Sequence, residues 1–399
     1  MRREYFEFYN PVKICAGNNA LDHIPFEIGR LNARRPLIIT DSGVRKAGLI
    51  DTVVKAMAGS DLRIGGLFDE VPPDSSTAVV TEAARVYREE GCDALLAVGG
   101  GSVMDTAKGV NIVVTEGSED LSGFAGAEVL QRPLRPFAVV PTTAGTGSET
   151  TLVAVIADEE TGRKILLTSS FLLPDVAFVD PRMTVTLPPA ITAATGMDAL
   201  THALEAYTCL GKNPLSDAYA GTAMRKIGEN LLDVLEKPGN IEKRLDLALA
   251  STLAGIAFSN SMVGLVHTIG HSVGSCCHLP HGTVMSILLP EVLGYNLEKA
   301  GPGYAEILGE TLFFLAGPEV YSGTPEEERV RGVLDALDRL REELEARAGL
   351  PRTLSATGRV SEDDLPRIAE VSMGDASGTY NPAEYTREDV LGILRDAYD

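Results

Sequence analysis

The chain has 399 residues, enough for two domains and too many for a small disulfide-stapled scaffold. An apolar fraction of 44% with 23% charged residues is that of a globular protein and excludes wholesale disorder. With 35 Lys and Arg against 56 Asp and Glu the net charge is −21, and a carboxylate surplus of that size opposes nucleic acid and anionic membrane surfaces as partners.

From Met1 the chain reaches Lys13 without a continuous apolar run, so no secretory signal is expected. The five cysteines are an odd count, two of them adjacent (Cys276 and Cys277), which fits a reducing, cytoplasmic compartment better than a disulfide framework. Pro36 to Thr40 reads as a buried strand, Thr77 to Glu90 as an amphipathic helix, Asp93 to Val98 as a second strand and Phe137 to Val140 as a third. This alternation predicts an α/β domain with a parallel sheet covered by helices on both faces.

The pattern changes at Leu187-Pro188-Pro189, and beyond it the apolar spacing is helical throughout. Two domains are therefore expected, residues 1–186 binding a dinucleotide and residues 187–399 all-helical, packed together around a cleft. In the second, Val330, Val333, Leu337, Leu340 and Leu344 mark one helix, with Thr324 as its expected N-cap, Glu327 completing a capping box and Gly349 ending it. From Leu247 to Pro290 there is no Asp, Glu, Lys or Arg, a length that could span a bilayer. Interspersed Ser, Thr, Asn and His and the absence of Lys/Arg flanks favour helices buried in protein.

Three loops follow the predicted strands, where open parallel sheets place ligands. Gly99-Gly100-Gly101-Ser102 leads into a helical pattern, so backbone N–H groups and a helix N-terminus can face a pyrophosphate. Neither a third spaced glycine nor a Gly-Lys-Ser/Thr follows, so this is neither the dinucleotide fingerprint nor a P-loop. Asp41 can accept from a ribose diol while repelling a 2′-phosphate, which favours NAD(H); it can equally start a turn. Pro141 to Glu149 is a run of hydroxyls and glycines with no reason to be core.

Five of the six histidines lie between residues 202 and 281, and His23 stands apart as a surface or capping residue. Asp198 and His202 are four apart on one helix face, His267 and His271 repeat that spacing, and His281 follows in Leu-Pro-His-Gly. Such groups in so apolar a segment would be left unsatisfied unless a divalent metal bound them. Glu205 is placed to orient His202 from behind, His278 is expected to be a core histidine satisfied by a carbonyl, and adjacent Cys276 and Cys277 lack the spacing of a thiolate site. Phe258 fits either a substrate pocket or plain helix core.

Together these motifs resemble the iron-containing (group III) alcohol dehydrogenases over nearly the whole chain. The likeness is carried by Thr40 to Gly43, Gly99 to Lys108, Pro141 to Glu149, Gly196 to Glu205, Gly264 to His271 and Pro280 to Gly282. It implies an α/β nucleotide-binding domain plus an all-α metal-binding domain, an architecture like that of dehydroquinate synthase. It implies Asp198, His202, His267 and His281 as metal ligands, with His271 beside the nicotinamide as the catalytic proton relay. Asp41, Gly100, Gly101, Ser102, Asp105, Thr142, Thr143, Thr146 and Lys164 fall at positions like the family's cofactor contacts. One departure stands out: Pro72-Pro73-Asp74 occupies the place where the family commonly reads Asn-Pro.

The implied activity is NAD(H)-linked oxidation of small primary alcohols or diols, or aldehyde reduction, by hydride transfer from a metal-held alkoxide. Iron comes from the family name; the ligand types alone suit Zn²⁺, Co²⁺ or Ni²⁺ as well. A zinc polyol dehydrogenase of the glycerol type or a sugar-phosphate cyclase would typically lack a His four residues after the metal-binding Asp. The alternative from another class is a non-catalytic nucleotide-binding assembly protein. Expected partners are a small alcohol or aldehyde and further copies of the chain, as a homodimer or a higher homo-oligomer, with neither nucleic acid nor membrane.

Overall fold

A computed structural model describes residues 5–159 and 163–399. The chain divides into two compact units, Asn10–Thr186 and Leu187–Asp399, the second joined by the described N-terminal residues up to Tyr9. That arm is held by Phe8, whose ring stacks on Tyr219 with centroids 5.6 Å apart, and by Tyr9, whose N–H donates to Asn260 Oδ1 at 2.6 Å.

The strands of the first unit are β1 (Lys13–Ala16), β2 (Pro36–Ile39), β3 (Gly66–Phe68), β4 (Ala94–Gly99), β5 (Gly126–Ala127), β6 (Phe137–Pro141), β7 (Val153–Asp158), β8 (Arg163–Thr168) and β9 (Val176–Val179). Six of them form a sheet in the order β1-β9-β6-β4-β2-β3, parallel throughout. The three strands expected from sequence are β2, β4 and β6, which lie side by side at its centre. Every residue of β2, β4, β6 and β9 is buried, as a sheet covered on both faces requires. Side chains alternate between two apolar clusters: Leu37, Ile39, Leu95, Ala97 and Val139 on one face, and Ile38, Leu96, Val98, Ala138 and Val140 on the other. The remaining strands make a small sheet in which β7 and β8 are an antiparallel pair and β5 lies parallel to β8.

From β2 the chain steps to β3 on one side, then returns to β4 on the other. The order therefore reverses between β2 and β4, and open α/β sheets bind ligands outside the carboxyl ends of such a pair. Asp41 follows β2, and the Gly99 to Ser102 turn follows β4.

One buried cation ties this end of the sheet together. Lys108, fully buried in the helix Gly101–Glu116, donates from Nζ to the carbonyls of Ser148 (3.0 Å), Thr151 (2.9 Å) and Val153 (2.8 Å) and to the hydroxyls of Ser148 (3.1 Å) and Thr151 (2.9 Å). The segment after β6 thus folds around an ammonium in place of regular structure. One turn earlier, Asp105 accepts from Val155 N at 3.1 Å and Ser148 Oγ at 3.3 Å.

In the second unit the helix Pro189–Thr208 is buried almost throughout from Thr192 onward. The helices Pro214–Glu236, Ile241–Ser259 and His281–Lys299 pack against it. The stretch without ionic residues is thereby explained as helices surrounded by helices, and among the described residues no helix is long and apolar enough to cross a membrane. The helix Arg329–Ala348 ends as expected on Gly349 at φ 67°, but begins later than its capping signal suggests. Thr324 donates to Val320 O and so closes the preceding helix, while Glu326–Glu328 form a 3-10 turn.

Replacing Lys108 with Met would leave five acceptors without their buried donor. The variant is expected to lose about 3–5 kcal/mol of stability in urea unfolding, and a midpoint unchanged from the parent would refute the anchoring role.

Candidate metal centre

Three helices bring the expected ligands together. Asp198 and His202 project from Pro189–Thr208 one turn apart. His267 lies in the first turn of Leu265–Cys277, whose N-cap, Gly264, has no side chain to satisfy the opening N–H groups. Those donors are met from elsewhere: Leu265 N donates to Asn381 Oδ1 (3.2 Å) and Val266 N to Glu205 Oε1 (2.8 Å). A Cβ on Gly264 would sit 3.0 Å from Asn381 Oδ1 and 3.1 Å from Glu205 Oε1, so the close approach needs glycine. His281 is the first residue of His281–Lys299, not part of a free loop. A Cβ on the next residue, Gly282, would lie 2.2 Å from Ala194 O, so glycine lets this helix end press against the helix of Asp198.

One donor atom from each of Asp198, His202, His267 and His281 lies within 4.8 Å of the others. Donors about 2.1 Å from a common ion stand at most about 4.2 Å apart, so closing on a cation takes shifts of tenths of an ångström. Asp198 Oδ1, His202 Nδ1 and His267 Nε2 are buried without a hydrogen-bond partner. His281 Nε2 reaches within 3.3 Å of Asp198 Oδ1, and His202 Nδ1 within 3.8 Å. Three orphaned buried donors facing one point fit a divalent metal, which satisfies them all.

Protonation favours the same conclusion. Burial depresses His202 to about 3 and holds His267 well below the usual imidazole range, so both rings are neutral and ligand-competent at pH 7. Burial alone would raise Asp198, but the approach of His281 Nε2, 3.3 Å from Oδ1, opposes it, and the carboxyl is held below its usual range. Glu205, behind the cluster, is pushed up to about 7 by burial. Its Oε2 forms a short hydrogen bond with His267 Nδ1.

The cluster is enclosed on one side and accessible on the other. His202 is stacked between Phe258 (centroids 4.3 Å apart) and His267 (4.4 Å). His281 and His271 are about one-third exposed and stack on each other at 5.4 Å. His271 makes no part of the four-donor set; its Nδ1 meets Asp375 Oδ2 at 2.9 Å, and Asp375 is itself held by Ser377 N at 2.8 Å.

Of the expected cofactor residues, Asp41, Gly100, Gly101, Ser102, Thr142, Thr143 and Thr146 follow the carboxyl ends of β2, β4 and β6, while Asp105 lies further along the helix Gly101–Glu116 and Lys164 lies in β8. Asp41 caps the short helix Ser42–Lys46, its Oδ1 accepting from Gly43 N (2.8 Å) and Val44 N (2.9 Å). A Cβ on Gly100 would lie 3.3 Å from Thr143 Oγ1, and one on Gly101 3.0 Å from Thr146 Cγ2, so the glycine turn and the threonine loop are packed as one surface. Thr142 N donates to Gly99 O at 3.0 Å, and Ser102 Oγ to Pro73 O. Lys164 Nζ lies 3.8 Å from Asp74 Oδ1, in the segment that departs from the expected Asn-Pro.

Comparison with known proteins decides the lineage. Residues 11–181 match the family model described as iron-containing alcohol dehydrogenase, and residues 192–398 match that of the Fe-containing alcohol dehydrogenase family, C-terminal. The chain belongs to the iron-containing alcohol dehydrogenase family. It is 35% identical to the 1,3-propanediol dehydrogenase of Klebsiella pneumoniae, with all of both chains covered. It is 34% identical to the NAD-dependent methanol dehydrogenase of Bacillus methanolicus, over 98% of this chain and 99% of that one. The crystal structure of a 1,3-propanediol oxidoreductase superimposes with a TM-score of 0.93 at 35% identity, covering 99% of this chain and 100% of the other. As a family member this is a metal-dependent, NAD(H)-linked alcohol dehydrogenase and aldehyde reductase.

In this iron-containing alcohol dehydrogenase the residues around the ligands differ from expectation in two places. Glu205 serves His267, not His202: its oxygens meet Val266 N and His267 Nδ1 at the opening turn of Leu265–Cys277. His278 is not a core residue: it is exposed and ends the helix Leu265–Cys277 in the left-handed region at φ 54°. Asp375 and Asn381 carried no functional signal in the sequence beyond a turn-starting Asp, since their partners are far away along the chain.

The depressed imidazoles set a pH dependence. Burial depresses folded His202 to about 3 while an unperturbed imidazole titrates near 6.5, so across that window the unfolded chain binds more protons and stability is lost as pH is lowered. His267 acts in the same direction. Glu205, pushed up to about 7, takes up a proton in the folded state over the same window and offsets one ring, so metal-free protein is expected to lose about 1.4 kcal/mol per pH unit net below about pH 6.5; urea midpoints equal at about pH 7 and about pH 5.5 would refute it.

Proposed function

We propose that this enzyme interconverts small primary alcohols or diols and their aldehydes, with Asp198, His202, His267 and His281 as the metal ligands and His271 as the proton relay. The observation that carries this reading is the convergence of four donor atoms, three of them orphaned, on one point. The relatives named for 1,3-propanediol and methanol support a short primary alcohol as substrate. When bound, a divalent metal, Fe²⁺ by family and Zn²⁺ by ligand type, supplies a Lewis acid for the substrate oxygen, and NAD(H) supplies the hydride acceptor or donor.

The chain's own groups do the rest. Neutral His267 and His202 and ionised Asp198 hold one net negative charge in a buried site, which suits a dication with charge left over to polarise oxygen. His271, fastened through Nδ1 by Asp375 and partly exposed, can pass a hydroxyl proton to solvent from its other nitrogen. Phe258 lies flat on His202, keeping water from that face. On the sheet, Gly100, Gly101 and Ser102 are proposed to meet the pyrophosphate at the N-terminus of Gly101–Glu116, with Thr142, Thr143, Thr146 and Lys164 around it. Asp41 Oδ2 is assigned to the ribose diol, which selects NAD(H). Asp105 contributes by holding Ser148 and Val155 in place.

Two coarser readings complete the proposal. The five cysteines are all free, which favours a cytoplasmic setting. A homodimer or larger assembly is the arrangement common to soluble enzymes of this size.

Protein reconstituted anaerobically with Fe²⁺ or with Zn²⁺ is expected to form NADH from short primary alcohols and diols. Failure with every alcohol and every aldehyde tried would sink the reading. His267→Ala is expected to lose metal and activity together; an active metal-free variant overturns the ligand assignment. Asp41→Gly is expected to raise kcat/KM for NADP⁺ at least tenfold relative to NAD⁺, as removal of one repelling charge predicts, and an unchanged ratio would remove Asp41 from the ribose.

A further inference from the structure

Glu205 lies just behind the ligand cluster, and its two oxygens are already committed to different donors. Oε1 accepts from Val266 N at 2.8 Å, and Oε2 pairs with His267 Nδ1. Both donors belong to adjacent residues in the first turn of Leu265–Cys277, so one carboxylate sets the position of that turn and the orientation of the ring it carries. The residue is 5% exposed, and among the described residues its ion-pair partner is the His267 ring alone. Its remaining surroundings are neutral: Thr208, Asn296, Tyr304 and Asn381 line a small cavity beside it.

A neutral imidazole carries one proton, and whichever nitrogen holds it cannot ligate a metal. An ionised carboxylate is an acceptor only, so with Glu205 ionised the nitrogen facing it is kept as N–H. We infer that Glu205 is a positioning residue that locks His267 in the Nδ1–H tautomer, leaving the buried, unpartnered Nε2 with its lone pair toward the ligand cluster. The inference rests on the metal-centre reading above.

The geometry makes a sharp distinction between Glu and Gln at this position. Two separate N–H groups need two acceptor oxygens, and a carboxamide has only one. If the amide oxygen faces Val266 N, the NH₂ group faces His267 Nδ1 and forces the proton onto Nε2. If it faces His267 instead, the NH₂ group opposes the Val266 N–H. Either orientation harms the turn or the ligand, whereas Asp retains both oxygens and only withdraws them by one methylene.

The test is Co²⁺ titration of chelator-treated wild-type, Glu205→Gln and Glu205→Asp proteins, read by the visible d–d absorption of the bound ion and by the gain in Tm on Co²⁺ addition. Glu205→Gln is expected to bind Co²⁺ about 10–100-fold more weakly with a smaller gain in Tm, and Glu205→Asp to fall between it and wild type. Wild-type affinity and spectrum in Glu205→Gln would overturn the role of Glu205. So would Glu205→Asp binding as wild type if Glu205→Gln had lost its fold before metal was added. Failure of the wild-type protein itself to bind Co²⁺ would instead overturn the metal centre, so the two failures are told apart.

Discussion

A carboxylate taken out of water into a helix-packed interior costs several kcal/mol unless positive charge meets it. Asp198 is such a group, 2% exposed in the middle of a helix that is itself covered on all sides. No Lys or Arg is paired with it among the described residues; instead three imidazoles face it, two of them depressed by the same burial that makes the carboxylate costly. Neutral rings supply lone pairs and no charge, so the arrangement is electrically incomplete until a cation is held. The rest of the second unit follows from that constraint. Gly282 lets the His281 helix approach the Asp198 helix, and Gly264 lets Glu205 and Asn381 reach the opening of the His267 helix.

The first unit solves the opposite electrostatic problem. Its ligand surface must accept anionic phosphates without a cluster of exposed Lys and Arg, and the net charge of −21 makes a global attraction impossible. The available means are local: backbone N–H groups at a helix N-terminus, threonine hydroxyls, and glycines that let them come close. Loops of this kind hold little regular hydrogen bonding of their own. Lys108 and Asp105, both on the helix after the glycine turn, satisfy the carbonyls, hydroxyls and N–H of the Ser148 to Val155 segment and so keep the threonine loop against the glycines.

Periodicity and local chemistry made much of this legible in the sequence. The central strands β2, β4 and β6 announce themselves as short apolar runs because a doubly covered strand has no polar face to show. Asp198 with His202 can be paired from sequence because residues four apart on a helix share a face whatever surrounds them. The edge strands β1 and β3 escaped notice, being short and partly exposed. The capping signal at Thr324 misled because a hydroxyl followed by Pro and Glu caps equally well the end of one helix or the start of another.

The sequence by itself determined which side chains could be ligands, where the strands and glycine turns run, and that the charge could not favour nucleic acid. Only the tertiary structure decided which groups stand behind those ligands. Glu205 meets His267 across 62 residues, His271 meets Asp375 across 104 and Leu265 meets Asn381 across 116. No local propensity or spacing encodes such pairs. They exist because the packing of whole helices brings their ends together, and a contact set by packing is written into the chain only through everything else that packs.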